Sequence, residues 1–137
     1  MGKDIFHNAV RCGLEKDQWH ISHDPLELEW EEVKVKIDLA AERLIAAERG
    51  NDKIAVEIKS FISPSAISDF HTALGQYLNY QIMLDSQESD RKLYLAIPLE
   101  TYNTFFQSRF AQTAIDRHQI SLLVYNPVTE EIEQWIN

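Results

Sequence analysis

The sequence predicts a mixed α/β sandwich in which helices flank a central mixed sheet. Helix and strand patterns follow each other in the order helix, strands, helix, strand, helix, strands. At 137 residues and 45% hydrophobic content, the chain is long enough for one compact domain with a buried core. No repeat, low-complexity stretch or linker interrupts it. We therefore expect a single domain over residues 1–137.

Three segments have helical spacing of their apolar residues. Residues 4–19 form the first, with Asp4 as a cap or first-turn residue. A long helix is expected from residue 63 to about residue 85, with Pro64 tolerated in its first turn. Residues 99–117 form the third, and its aromatic residues are expected in the core: Tyr102, Phe105, Phe106 and Phe110.

Short apolar or alternating runs predict the strands. They lie at residues 19–24, 26–30, 33–39, 44–48, 53–61, 92–97, 120–125 and 130–136. We expect residues 44–48 and 53–61 to form a hairpin that turns at residues 50–52.

The composition excludes several classes of protein. The sequence contains no apolar run of about 18 residues, so a membrane span is not expected. The N-terminus lacks the apolar region of a secretory signal. Cys12 is the only cysteine, which excludes an internal disulfide and a cysteine zinc site. These features favour a cytoplasmic protein.

The net charge of −9 bears on possible partners. DNA-binding proteins usually carry a basic face, so we expect this chain alone to bind DNA weakly, with a metal ion or a partner protein supplying positive charge. The acidic run Glu27, Glu29, Glu31 and Glu32 is either a solvated edge that discourages strand pairing or a docking face for a basic partner.

Asp38, Glu57 and Lys59 are the candidate site. Glu57 and Lys59 share one face of an otherwise apolar strand, and Asp38 ends a neighbouring apolar run. Buried charges are costly unless they are paired or used, and a surface salt bridge is the alternative explanation. Two carboxylates beside a lysine can hold Mg²⁺ or Mn²⁺ and orient water, the chemistry of phosphodiester hydrolysis.

In this hypothesis each group has a role. Asp38 and Glu57 bind the metal, and the carbonyl of Ile58 is a possible third ligand. Lys59 positions or activates the attacking water, or steadies the charge that develops on the phosphate.

The helix that follows adds Gln76 and Tyr80, whose i, i+4 spacing places them on one face. The acid, the Glu-x-Lys strand and this Gln-x-x-x-Tyr helix together resemble the PD-(D/E)XK nuclease superfamily, although Ile37 stands where the superfamily name gives proline. The resemblance implies a restriction-endonuclease-like core of order α-β-β-β-α-β. Gln76 and Tyr80 would bind phosphate or orient Lys59, and Tyr80 is equally well explained as a core residue.

Other residues offer additions or alternatives. Glu15, late in the first helix, is either a further acid facing the metal or a solvated residue. His71 is either a surface or a supporting residue of the Gln76 helix. His20 and His23, with Asp24 adjacent, would need a turn to bind zinc together, because residues three apart on a strand face opposite sides.

Longer motifs along the whole chain resemble the XisH family. They are residues 6–8, 19–25, 54–61, 67–77 and 124–127. That family is named for control of excision of the fdxN element during heterocyst development in filamentous cyanobacteria. The resemblance implies a role in programmed DNA rearrangement, alongside a companion protein of the XisI type and a site-specific recombinase.

Two hypotheses follow. The first is a metal-dependent endodeoxyribonuclease, or a nuclease-derived factor, that supports DNA excision. The second is a non-catalytic assembly subunit that binds the XisI-type companion. The acidic charge favours the second, and the complete acid–acid–lysine set favours the first. A homo-oligomer is possible under either hypothesis.

Overall fold

The computed structural model describes residues 4–46 and 50–137. Helices and strands follow each other in the predicted order. The helices are α1 (Ile5–Lys16), α2 (Ala66–Gln87), α3 (Leu99–Asn103) and α4 (Arg109–His118), with a 3₁₀ turn at Phe105–Gln107. The strands are β1 (His20–His23), β2 (Leu26–Trp30), β3 (Val33–Ile37), β4 (Leu39–Ala46), β5 (Gly50–Ile58), β6 (Arg91–Pro98), β7 (Leu122–Asn126) and β8 (Glu131–Ile136).

Six of these strands form a mixed central sheet in the order β1-β4-β5-β6-β7-β8. The pairs β5–β6 and β6–β7 are parallel, and the remaining pairs are antiparallel. The predicted α/β class with a mixed central sheet is therefore confirmed. Not every strand joins that sheet: among the described strands, β2 and β3 pair only with each other, in a separate two-stranded hairpin.

The two faces of the central sheet carry different helices. On one face, Val10 and Leu14 of α1 pack with Leu39 and Val56 in one buried cluster. On the other face, α2 and α4 lie over Ala40, Ala55 and the odd-numbered residues of β6 in a second cluster. Alternation along β5 sends Val56 towards α1 and its neighbours Ala55 and Glu57 towards α2.

The long second helix begins later than the sequence pattern suggests. Ser65 is its N-cap and accepts a hydrogen bond from the Ser68 amide, so α2 starts at Ala66. Pro64 consequently precedes the helix and is not part of its first turn. The cap decides where the helix begins, because the Ser65 side chain accepts a hydrogen bond from a first-turn amide that would otherwise have no partner. The proline side chain at position 64 has no atom that could accept this bond.

The third predicted helix is interrupted. Residues 99–117 are divided by Thr104, whose backbone (φ −114°, ψ −84°) is not helical, and by Ser108, which caps α4 through the Ala111 amide. The break buries Phe106 fully but leaves Phe110 56% exposed, so the expected core position of Phe110 was wrong.

Two predicted strand boundaries also move. The run at residues 33–39 is divided at Asp38, which lies between β3 and β4. Residues 50–52 belong to β5 and pair with β4, with Ala46 opposite Gly50, so the predicted turn at residues 50–52 was wrong. The connection between these strands, and with it the end of the predicted strand at residues 44–48, lies outside the described residues.

The Tyr77 hydroxyl ties α2 to the sheet. It donates to the Leu93 carbonyl at 3.2 Å and accepts from the Ser121 amide at 3.0 Å. This fixes the position of α2 over β6 and β7, and therefore the height of the residues that α2 holds above the strands. In the part of the chain that the structure describes, no helix is both long and apolar enough to cross a membrane.

Candidate functional site

Asp38 and Glu57 lie at the same end of the central sheet. Leu39 pairs with Val56, so their neighbours Asp38 and Glu57 come next to each other where β4 begins and β5 ends. Both alternate with residues that face α1, which directs them to the side covered by α2. The predicted convergence of the two acids is thus built by an antiparallel register.

The backbone at this end of the sheet is held by a short set of hydrogen bonds. The Ile58 amide donates to Asp38 Oδ2 at 2.8 Å, and the Lys59 amide donates to the Ala96 carbonyl at 3.0 Å. The Tyr125 hydroxyl then donates to the Lys59 carbonyl at 3.1 Å. Asp38 and the backbone of Lys59 are therefore fixed by contacts with three different strands.

Glu57 is a buried acid, with only 5% of its surface exposed. Burial raises the pKa of Glu57 to about 7, and the Asp38 carboxylate adds to the rise, while the Lys59 ammonium opposes it. Its Oε1 atom is buried and has no hydrogen-bond partner among residues 4–46 and 50–137. A buried carboxylate oxygen without a partner is costly, and a proton or a cation would relieve that cost.

Asp38 is less buried than Glu57, and its surroundings also disfavour the charged form. Burial raises the pKa of Asp38, while the hydrogen bond from Ile58 and the electrostatic effects of His7 and Lys59 lower it. Each carboxylate therefore sits in an environment that disfavours its charge, and the two disfavour each other.

Lys59 is the basic member of the cluster. Its Nζ lies 3.6 Å from Glu57 Oε2, and its side chain retains 22% exposure. This ammonium is close enough to offset part of the negative charge, yet it remains open towards solvent. The predicted acid–acid–lysine set is therefore one cluster.

Tyr80 also faces this cluster from α2. Burial raises the pKa of Tyr80 to about 12, with the nearby Glu57 and Asp38 carboxylates contributing. Gln76 lies one helical turn earlier on the same face, and its Oε1 atom is buried without a partner in the described segments. The structure thus brings Tyr80 to the acids and leaves a buried amide oxygen beside it.

Other candidate residues lie elsewhere. Glu15 contacts Arg11, with 3.6 Å between Oε2 and Nε, and is half exposed. His71 is exposed on α2, about 140° around the helix from Gln76. His20 and His23 are exposed at the two ends of the extended strand β1, so the turn needed for joint zinc binding is not formed.

The N-terminus of α1 contributes groups that the sequence pattern did not reveal. His7 and Asp4 both act on the pKa of Asp38, His7 lowering it and Asp4 raising it. His7 Nε2 lies 2.9 Å from Asp24 Oδ1, and Arg11 also donates to that carboxylate. No short-range spacing links α1 to Asp38, because they meet only through the tertiary fold.

A divalent cation can be tested against this donor set. Within the described ranges, no group of three or more His, Cys, Asp and Glu side chains is arranged to hold a metal. The set that the structure brings together is two carboxylates, one of them with an orphaned oxygen. Mg²⁺ keeps several waters and commonly binds through only one or two carboxylates, so this set fits Mg²⁺ or Mn²⁺ and does not fit zinc.

The fold and the cluster together define an α/β protein with a carboxylate–carboxylate–lysine centre at one end of a mixed sheet. A family model described as XisH protein matches residues 1–133, and the chain belongs to the XisH family. No curated protein matches the chain.

Two crystal structures are similar over nearly the whole chain. One is of an XisH family protein from Nostoc punctiforme, with 49% identity and a TM-score of 0.89. The other is of an fdxN element excision controlling factor protein from Anabaena variabilis, with 50% identity and a TM-score of 0.89. Each match covers 98% of this chain and 100% of the other.

Proposed function

We propose that this chain acts in programmed DNA excision, as a metal-dependent endodeoxyribonuclease or a factor derived from one. The buried Glu57 carboxylate supports this most directly, because its unpartnered oxygen and the adjacent Asp38 form a negative centre that favours a cation. The relative from Anabaena variabilis, named for control of fdxN element excision, supports the biological setting.

In this proposal Asp38, Glu57 and the Ile58 carbonyl hold Mg²⁺ or Mn²⁺. The bound cation would supply Lewis-acid stabilisation of a phosphate oxygen and lower the pKa of bound water. The protein's own groups do the rest. Lys59, partly exposed and 3.6 Å from Glu57, orients the attacking water and steadies the negative charge on the phosphate.

Gln76 and Tyr80 complete the arrangement from α2. The Tyr80 hydroxyl remains protonated at neutral pH, since its pKa is about 12, so it can donate a hydrogen bond to a phosphate oxygen. The Gln76 amide would orient Lys59 or contact the phosphate. This placement of side chains supports the proposal of a restriction-endonuclease-like relationship.

The charge of the chain supports a second function, in which the protein is a non-catalytic assembly subunit. The net charge is −9, and Glu27, Glu29, Glu31 and Glu32 are all exposed on the β2–β3 hairpin. Lys36 and Lys34 stand opposite Glu27 and Glu29 across this hairpin. The net charge of the chain and the acidic turn at Glu31 and Glu32 are therefore what disfavour DNA and favour a basic partner. We propose that this partner is a companion of the XisI type in the cytoplasm of a heterocyst-forming cyanobacterium, and that a recombinase acts indirectly.

Plasmid nicking with Mg²⁺ or Mn²⁺ tests the nuclease. Wild type should nick the plasmid. Asp38→Ala and Lys59→Ala should lose roughly a hundredfold or more of that activity, since general acid–base and electrostatic groups each contribute about that much. Glu15→Gln is the matched control and should retain full activity.

Reconstituted element excision, with and without the companion, separates the two functions. Full excision by Asp38→Ala and Lys59→Ala would leave only the assembly role. Loss of excision in these variants, with companion binding retained, supports the nuclease.

A further inference from the structure

A cavity of about 520 Å³ opens beyond Lys59, at the carboxyl ends of the parallel strands β5, β6 and β7. Its wall includes Ser60, Pro98 and Asn126, which end or follow those three strands. Ligands of sheets with parallel strands bind at this edge, and the volume falls in the range of pockets for small organic groups.

Aromatic rings form much of the cavity wall. Phe6, Phe61 and Phe105 all line it. Phe61 has a φ of 52°, which is unfavourable for a bulky residue, and its ring is fixed against Phe106 at a centroid distance of 5.5 Å. The backbone therefore accepts strain at the residue that places an aromatic ring two positions after Lys59.

The opposite wall is also rigid. Asn126 Oδ1 accepts hydrogen bonds from the amides of Val128 at 2.9 Å and Thr129 at 3.2 Å. These bonds hold the turn that carries Pro127 and Val128 against the cavity. The space is thus formed before any ligand enters.

The charge of the lining indicates what kind of group would enter. Among the described residues that line the cavity, Glu100 is the one with a charged side chain. A lining of this kind disfavours a phosphate and suits a flat, uncharged group, with Glu100 able to accept a hydrogen bond from an amine.

The cavity adjoins the surroundings of Lys59. A smaller cavity of about 170 Å³ is lined by Lys59, and it shares Ser60, Phe61 and Ile62 with the larger one. A ligand part held in the larger cavity would therefore lie beside whatever group Lys59 contacts.

We propose that this cavity binds an unpaired nucleobase of the DNA substrate, adjacent to the phosphate at Lys59. This inference rests on the proposed nuclease function and names its substrate class. A base within a duplex cannot present its face to an aromatic wall, whereas an unpaired base can stack there. The substrate is accordingly DNA with a single-stranded, mismatched or extruded base next to the cleavage position.

The test uses the full-length chain with Mg²⁺ at low salt and short oligonucleotides that carry one 2-aminopurine. The label is placed in a single strand, at an unpaired position of a duplex, or in a fully paired duplex. Thr101→Trp fills the cavity, because half-buried Thr101 lines it. Thr113→Trp, at an exposed position of α4, is the matched control.

Wild type should bind the unpaired forms roughly fivefold or more tightly than the duplex, with quenched 2-aminopurine fluorescence, which corresponds to the lower end of stacking per base. Thr101→Trp should lose that preference and Thr113→Trp should keep it. Ile62→Ser, at an exposed lining position, should weaken the binding of unpaired DNA without loss of folding, whereas Val33→Ser, also exposed but on β3, should not.

Equal binding of paired and unpaired DNA, or an unchanged preference in Thr101→Trp, overturns the inference. Nicking of plasmid by wild type together with either result leaves the nuclease standing and removes only the base site. Conversely, cavity-dependent binding of an unpaired base by a protein that never nicks would remove the nuclease and retain the site.

Discussion

The Ile58 amide donates a 2.8 Å hydrogen bond to Asp38 Oδ2, which ties the residue before β4 to the last residue of β5. The same bond brings the Asp38 carboxylate towards Glu57. The Asp38 charge raises the pKa of Glu57 further than burial alone does. The hydrogen bond that joins the end of β5 to the start of β4 therefore also places two carboxylates close to each other. The resulting electrostatic cost is built into the fold and would be relieved by a proton or a cation.

Asp38→Ala should destabilise the fold more than Asp38→Asn. The alanine leaves the part-buried Ile58 amide without its acceptor, which costs about 1–2 kcal/mol, while asparagine retains an oxygen at that position. Urea denaturation at about pH 6 measures the difference. Equal stability of the two variants would contradict a structural role for this bond.

The stability of the metal-free protein should fall as pH rises from about 4.5 to above 7. Burial raises the pKa of folded Glu57 to about 7 from its ordinary value of 4.5, so the folded state binds the proton more tightly and loses that advantage as Glu57 ionises. Glu57→Gln should flatten the profile and, above pH 8, gain on the order of 2–3 kcal/mol.

The matched control for this titration is Glu15→Gln. Glu15 is half exposed and contacts Arg11, so its replacement should leave the wild-type slope unchanged. Denaturation midpoints of the three proteins across the pH range check this. A Glu57→Gln profile that is parallel to wild type would contradict the buried, charge-disfavouring site.

Glu57→Gln should also separate the stability of the fold from its binding of a cation. Mn²⁺ should raise the melting temperature of wild type, since a ligand that binds only the folded state stabilises it by mass action. Glu57→Gln should be more stable without Mn²⁺ and gain little from it. Differential scanning fluorimetry measures both, and an undiminished Mn²⁺ shift in Glu57→Gln would show that the ion binds elsewhere.

The sequence predicted the order of elements and the acid–acid–lysine set because both depend on local patterns. Alternation along β5 and into the residue that follows it places Glu57 and Lys59 on one face, and Asp38 needs only the β4–β5 register to meet them. These are short-range constraints, and they survive whatever packs around the sheet.

What the sequence could not predict depends on tertiary contacts. His7 affects the pKa of Asp38 only because α1 packs across the sheet, and no spacing in the sequence reports that. The pairing of β2 with β3 outside the central sheet is equally a matter of partner choice between similar strands. The interruption of residues 99–117 follows from the Ser108 cap, which competes with helix propensity and wins.

Tyr77→Phe should cost about 1–3 kcal/mol of folding free energy. The Tyr77 hydroxyl donates to the buried carbonyl of Leu93 and accepts from the buried amide of Ser121. Phenylalanine would leave both backbone groups without this partner. Tyr94→Phe is the control, because its hydroxyl bonds only the Asn137 side chain in the described structure and should cost less. Guanidinium denaturation measures the two, and similar losses would contradict the argument.

Two glycines in helices should respond oppositely to alanine. At Gly75, exposed on α2, an added Cβ meets nothing within 4 Å, so Gly75→Ala should stabilise by about 0.5–1 kcal/mol through helix propensity alone. At Gly13, buried in α1, the Cβ would lie 2.9 Å from Ile132 Cδ1 and 3.2 Å from the Ile132 amide nitrogen. Gly13→Ala should therefore destabilise by about 1–3 kcal/mol.

The effect of Gly13→Ala on stability can be checked by also changing Ile132, the residue that the added methyl group would contact. The closest contact is the end of a side chain, which Ile132→Ala would remove, whereas the contact with the Ile132 backbone would remain. In the Ile132→Ala background, Gly13→Ala should consequently lower the free energy of unfolding by less than it does in wild type. Because the backbone contact remains, it should not stabilise the protein as Gly75→Ala does. A double-mutant cycle from urea denaturation measures this coupling, and strictly additive effects would show that α1 moves away from β8 as a whole to accommodate the methyl group.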